Sequence, residues 1–322
     1  MEYVSYRRRR KKNPARFLLL VMLGGFLMYY LAFHQTSKKS STKIVSPIAS
    51  TLSSPSVAIT PTASPANSLA GAIEKAMEGT NGTYGIYIKN LKTGQTYTSN
   101  EHRIFEPGSL YKLWVMATVF QQIQNGTLKE DQVLTQTIPM LNSKFGISPE
   151  YAELTEGTIS LTITQALTQM ITISHNYAAL LLTEKVKLSA VSTFLQTYGF
   201  RESKVGTNGN SPNSTPYDIA LFLEKLYKGQ LANVENTNKM IDLLKKQQLN
   251  NKLPKYLPDN VVIAHKTGEI DFFSHDAGIV YTPKGDYIIV IFSESNSPLG
   301  AEERIANTSK AVYDYFMNLR DR

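Results

Sequence analysis

Ala277-Gly-Ile-Val-Tyr281, Pro283-Lys-Gly-Asp286 and Tyr287-Ile-Ile-Val-Ile-Phe292 are two apolar, β-branched runs closed on each other by turn residues, which reads as an antiparallel strand pair. Just upstream, Asn260-Val-Val-Ile-Ala-His265 is a third strand. Nearer the N-terminus, Tyr84-Gly-Ile-Tyr-Ile-Lys89 and Gln95-Thr-Tyr-Thr98 flank Lys92-Thr-Gly94 and read as a β-hairpin. The stretch between hairpin and late strands is helical in pattern: Leu110 to Gln124, ended by Asn125-Gly126; two stretches within 160–184, broken near Ser174; Ala190 to Tyr198; and Tyr217 to Tyr227. Helices also close the two ends, Ser68 to Met77 (Leu69, Ile73 and Met77 at helical spacing) and Ala301 to Leu319. The expected fold is therefore α/β of the α+β kind. One mostly antiparallel sheet forms from N- and C-terminal segments, helices flank it, an all-helical region is inserted in the middle, and any site lies in the cleft between the two parts.

Charge separates the chain further. The 322 residues carry a formal net charge of +8. Residues 1–50 hold ten Lys/Arg against the single acid Glu2, which leaves residues 51–322 at −1. The high pI thus belongs to the tail and gives no support for nucleic-acid binding by the folded part. Residues 1–16 form a basic tail, with six consecutive cations from Arg7 to Lys12. Phe17 to Phe33 is a run of seventeen uncharged residues, sufficient for a short membrane span. Cations on its N-terminal side predict that the N-terminus stays in the cytoplasm and the remainder is exported; the rival reading is a cleaved signal peptide. Residues 34–67, dominated by Ser, Thr, Pro and Ala, form a flexible linker, and residues 68–322 the domain. The chain lacks cysteine, which excludes disulfides, thiolate metal sites and a Cys nucleophile. Five scattered histidines make no H-x₃-H or HExxH pattern, so a zinc reading starts weak.

Three short patterns carry chemistry. In Glu106-Pro-Gly-Ser109-Leu-Tyr-Lys112, Pro-Gly breaks the chain and Ser109 opens a helix, with Lys112 three residues on and on the same face. A serine hydroxyl needs a neighbouring base to become a nucleophile, and a lysine can be that base if burial and nearby positive charge lower its pKa. Ser174-His175-Asn176 is a polar triplet between apolar helical stretches, costly without a purpose. In Lys266-Thr267-Gly268, at the end of a strand, the lysine and threonine can hold a carboxylate and the glycine permits close approach. Each pattern has a decoy in the same chain: Ser40 with Lys43, Ser211-Pro-Asn213, and Lys92-Thr-Gly94. Singly they are weak; together, in this order and each in the local structure its role needs, they are specific.

From about Leu69 to Phe316 the chain resembles the class A β-lactamase-like serine hydrolases of the penicillin-recognising superfamily, which carry S-x-x-K, S-D-N and K-T-G. The resemblance implies a β-lactamase/transpeptidase-like fold and an acyl-enzyme at Ser109, with Lys112 as base. It implies that Ser174 passes a proton to the leaving nitrogen and that Asn176 positions substrate and Lys112. Lys266, Thr267 and Gly268 would bind the substrate, and the backbone N–H groups of Ser109 and Glu269 would form the oxyanion hole. The implied partner is a β-lactam or a peptidoglycan stem peptide, and the resemblance implies no metal or cofactor.

The chain departs from that family at three places. Its members use a loop glutamate for deacylation, yet Ser203 to Tyr217 contains no carboxylate, and the adjacent Glu202 falls where a helix should end. His175 replaces the usual Asp, and Glu269 follows the glycine directly. Three readings follow: a β-lactamase-like hydrolase weak in deacylation, a D,D-carboxypeptidase or transpeptidase, and a non-catalytic cell-wall binding module. Oligomeric state is not legible.

Overall fold

The computed structural model describes residues 68–206 and 211–319. The expected basic tail, membrane anchor and linker lie outside these residues. Among the described residues no helix is long and apolar enough to cross a membrane.

Strand alternation decides where the core sits. Along β7 (Tyr287–Glu294), Ile288, Val290 and Phe292 face one apolar cluster, and Tyr287, Ile289 and Ile291 face another. Both faces are buried, which is why the strand is apolar at nearly every position. Each such side chain contributes about 2 kcal/mol on burial. The five-stranded sheet runs β2-β1-β7-β6-β5, every pairing antiparallel, with β1 at Thr83–Asn90, β2 at Thr96–Ser99, β5 at Val262–Ile270 and β6 at Phe273–Tyr281. Helices α1 (Leu69–Met77) and α9 (Pro298–Met317) cover one face through Leu69, Ile73, Ile305, Val312 and Phe316. The other face packs on the middle of the chain. The expected sheet of N- and C-terminal segments is what forms.

The insertion is helical but not all-helical. It contains α2 (Lys112–Gln124), α3 (Ile138–Lys144), α4 (Ile163–Thr172), α5 (Asn176–Val186), α6 (Leu188–Thr197), α7 (Pro216–Tyr227) and α8 (Val234–Lys245). Between α2 and α4, β3 (Val133–Thr137) pairs antiparallel with β4 (Thr158–Thr162). Ser160-Leu-Thr162, expected in a helix, is therefore strand. Thr158, Ile159 and Thr162 are β-branched and favour it, and Thr162 starts α4 only as its cap, in a capping box with Gln165. Helix α8 was not expected, because apart from Met240 and Leu244 the residues it buries are polar, Asn236 and Thr237. Nor does the third strand stop at His265: β5 continues through the Lys-Thr-Gly pattern to Ile270.

Candidate active site

The first pattern sits where a tight turn meets the central helix. Phe105 pairs with Ser214 in an isolated bridge, Gly108 turns the chain at φ 50°, and a 3-10 turn over Gly108–Tyr111 runs straight into α2. Ser109 lies within this turn and does not cap the helix, which corrects the expected N-cap: Tyr111 occupies that position and no side chain caps it. Ser109 is half-buried, and neither its hydroxyl nor its N–H hydrogen-bonds any described residue. Lys112 opens α2, and every residue from Lys112 to Phe120 is buried. His275 fixes the turn from below. Its Nδ1 accepts from Ser293 N–H (3.1 Å), so Nε2 carries the proton and donates to Glu106 O (2.8 Å). Burial among Phe105, Phe273 and Phe292 holds it neutral, its pKa lowered to about 4.

The second pattern is the corner between α4 and α5. Ser174 adopts φ 58°, a left-handed conformation disfavoured for a non-glycine residue. That geometry aims both its carbonyl and its hydroxyl at Lys112. Lys112 Nζ lies 2.6 Å from Ser174 O, 3.1 Å from Ser174 Oγ and 2.7 Å from Asn176 Oδ1. His175 caps α5, its Nδ1 accepting from Ala178 N–H at 3.1 Å. Burial, then the Lys112 charge, push its pKa down. It therefore does the capping work of an Asp without a negative charge.

The third pattern approaches along β5, the edge strand. Lys266 Nζ donates to Ser174 Oγ (3.0 Å) and to Thr267 O (2.9 Å). Thr267 and Gly268 are buried beside it. Two glycines allow the strand to press against the turn. A Cβ on Gly268 would lie 2.3 Å from Pro107 O, and one on Gly108 would lie 2.6 Å from Glu269 N. The glycine freedom assigned to substrate approach is thus used by the protein's own backbone. Gly268→Ala should lower the melting temperature by several degrees, since a backbone oxygen cannot yield as a flexible side chain can; thermal denaturation checks it. Glu269 forms an ion pair with Lys252, a fully buried residue from the loop before β5. Its charge is thereby answered within the protein.

Two buried ammonium groups meeting at one hydroxyl cannot both keep ordinary pKa values. Lys112 is driven well below its usual value by burial first and by Lys266 second, with Glu153 opposing. Burial lowers Lys266 to about 7, while Asp276 behind the strand supports its charge. Asp276 is itself bonded to His265 (3.0 Å) and to Leu253 N–H (3.1 Å). Repulsion between the two ammonium groups is mutual, but Lys266 has the buried Asp276 behind it while Lys112 has only the exposed Glu153, so Lys112 is the one that gives up its proton. A neutral Lys112 can donate to Ser174 O and Asn176 Oδ1 and turn its lone pair elsewhere. Such an arrangement can accept a proton from a nearby hydroxyl and relay one through Ser174.

Sequence reasoning missed two residues here. Glu153, on the loop between α3 and β4, accepts a hydrogen bond from Asn176 Nδ2. Lys252 neutralises Glu269. Neither stands in a recognisable pattern; the one available signal was three acids, Glu150, Glu153 and Glu156, on a single loop. Glu202 is engaged by His102 Nδ1 (2.9 Å) and Thr215 Oγ1 (2.7 Å) and bonds none of the pattern residues. Lys92-Thr-Gly94 is an exposed hairpin turn, as expected.

With this geometry in view, likeness to known proteins has a definite meaning. The chain is 25% identical over 269 residues to β-lactamase VEB-1 of Pseudomonas aeruginosa, covering 76% of this chain and 89% of that protein. A solved β-lactamase of Sphaerobacter thermophilus superposes with a TM-score of 0.68 at 25% identity, over 79% of this chain and 98% of that one. PBP-A shares the fold at a TM-score of 0.68 and 23% identity, over 78% of this chain and 96% of that one. A family model, the β-lactamase enzyme family, matches residues 68–316. The chain belongs to the β-lactamase enzyme family and is a β-lactamase-like serine hydrolase of the penicillin-recognising superfamily.

Proposed function

We propose that this protein forms an acyl-enzyme with β-lactams at Ser109 and releases it slowly. Lys112, neutral in the resting site, takes the Ser109 hydroxyl proton as Oγ bonds to the lactam carbonyl carbon. The carbon–nitrogen bond of the ring then breaks, and the proton reaches the freed nitrogen through Ser174. Asn176 orients the acyl-side carbonyl. Lys266 and Thr267 hold the substrate carboxylate, with Gly268 keeping their strand close. The N–H groups of Ser109 and Glu269 receive the negative charge on the carbonyl oxygen. Water finally attacks the ester, and Ser109 regains its proton. The observation that carries this reading is the direct chain Lys112 Nζ, Ser174 Oγ, Lys266 Nζ, with separations of 3.1 and 3.0 Å.

The stretch Ser203 to Tyr217 has no carboxylate to activate the deacylating water. The same absence favours a second reading, a peptidoglycan D,D-carboxypeptidase or transpeptidase in which another nucleophile takes the acyl group. A non-catalytic cell-wall module ranks third, since it would leave the relay without purpose. The expected membrane anchor at 17–33 and linker at 34–67 suit a domain held outside the bacterial cell membrane beside the cell wall. Intact mass spectrometry of the full chain in detergent, followed over time after benzylpenicillin is added, tests the proposal. An adduct of one penicillin mass should form within minutes and persist for roughly an hour or more, at least ~1000 times longer than a turnover at a typical rate of ~1–1000 per second. No adduct together with no hydrolysed penicillin would remove both enzymatic readings.

A further inference from the structure

Glu153 places an exposed carboxylate at the rim of the site. Among the described residues its side chain makes one hydrogen bond, to Asn176 Nδ2, and no ion pair. Its charge nevertheless acts on the surrounding wall. It raises the pKa of Tyr111 in concert with burial, and it opposes the lowering of Lys112 and His175. Asn176 Oδ1 is committed to Lys112 at 2.7 Å, so the opposite, Nδ2 side of the carboxamide is the one a ligand can use. That nitrogen has two hydrogens: one goes to Glu153, and the second is open to the acyl-side carbonyl of a substrate. A substituent on the carbon next to that carbonyl is then delivered beside Glu153.

We propose that Glu153 forms a subsite for an ammonium group on the acyl side of the scissile bond, so that acyl donors with a free amine next to the carbonyl held by Asn176 are favoured and donors with a carboxylate there are disfavoured. The inference rests on the acyl-enzyme reading above and specifies its substrate class. Lys266 makes the interior of the cleft cationic and by itself would favour anions; Glu269 is already paired with Lys252. Glu153 is the group that reverses this preference at one position.

Three penicillins that differ only on that carbon isolate the effect: benzylpenicillin (hydrogen), ampicillin (amine) and carbenicillin (carboxylate). Acylation rate constants are measured by intact mass on the full chain in detergent, at about pH 6, where an amine of this kind is protonated. Surface ion pairs are modest, so the ampicillin-to-carbenicillin ratio should fall about tenfold in Glu153→Gln. Raising salt should shrink that difference. The same ratio should stay within twofold of wild type in Glu156→Gln, which removes a charge from the same loop away from Asn176. A ratio unchanged in Glu153→Gln, or equally changed in Glu156→Gln, overturns the subsite while acylation itself proceeds. Absence of any adduct with all three penicillins overturns the underlying reading, and the subsite with it.

Discussion

Ser109→Ala should eliminate the penicillin adduct, lowering the acylation rate by about a thousandfold or more, because the hydroxyl oxygen is the atom that would become the ester. The substitution should leave the fold intact. The Ser109 hydroxyl has no hydrogen-bond partner among the described residues, so its loss orphans no buried group, which is the usual route to a large destabilisation. Labelling with a fluorescent penicillin, alongside thermal denaturation, separates the two effects. Unchanged labelling with an unchanged melting temperature would remove Ser109 as the nucleophile. The companion comparison uses the two Lys-Thr-Gly stretches. Lys266→Ala should impair labelling, and Lys92→Ala, on an exposed hairpin turn, should not.

The second large effect concerns the buried lysines. Lys112→Met should slow acylation about a hundred- to ten-thousandfold, the range attached to a lost general base. Methionine fills the volume of the lysine stem and removes a buried nitrogen that is costly to desolvate. Both offset part of the cost of giving up the hydrogen bonds to Ser174 O, Ser174 Oγ and Asn176 Oδ1. The pH profile of the second-order acylation constant adds a test whose sign is fixed by the two pKa shifts. Lys112 acts when neutral, and its pKa is driven well below the usual value by burial and by Lys266. The rate therefore rises with pH as Lys112 deprotonates. Lys266 acts when charged, and burial sets its pKa at about 7. The rate therefore falls again as pH passes through about 7, giving a bell. Lys266→Arg, with a side chain charged at every accessible pH, should be slower overall but lack the alkaline fall. A wild-type profile flat from acid to alkaline conditions would contradict both assignments.

Much of this was legible before any coordinates. The strands Ala277 to Tyr281 and Tyr287 to Phe292, the hairpin around Lys92, the helix after Ser109 and the break at Ser174 all lie where local pattern placed them. Each is set by neighbours a few residues away, through turn chemistry, β-branching or helical spacing. The β3–β4 pair was missed because five-residue strands flanked by helices give periodicity little to act on, and Ser160 to Thr162 could serve either. Helix α8 was missed because much of what it buries is polar.

The amino-acid order alone picked out the residues of the proposed site. Ser109, Lys112, Ser174, Asn176, Lys266 and Thr267 stand in an order and in local structures that chance does not readily supply together. What only tertiary structure decided is how their charges are answered. Lys252 reaches Glu269, Glu153 reaches Asn176, and Asp276 stands behind Lys266. Those pairings join residues between ten and twenty-three positions apart, the first two across loops with no repeating pattern and the third across the β5–β6 hairpin. Electrostatic interaction depends on distance through space and on the water excluded between the charges, and neither quantity is written in the spacing of residues along the chain.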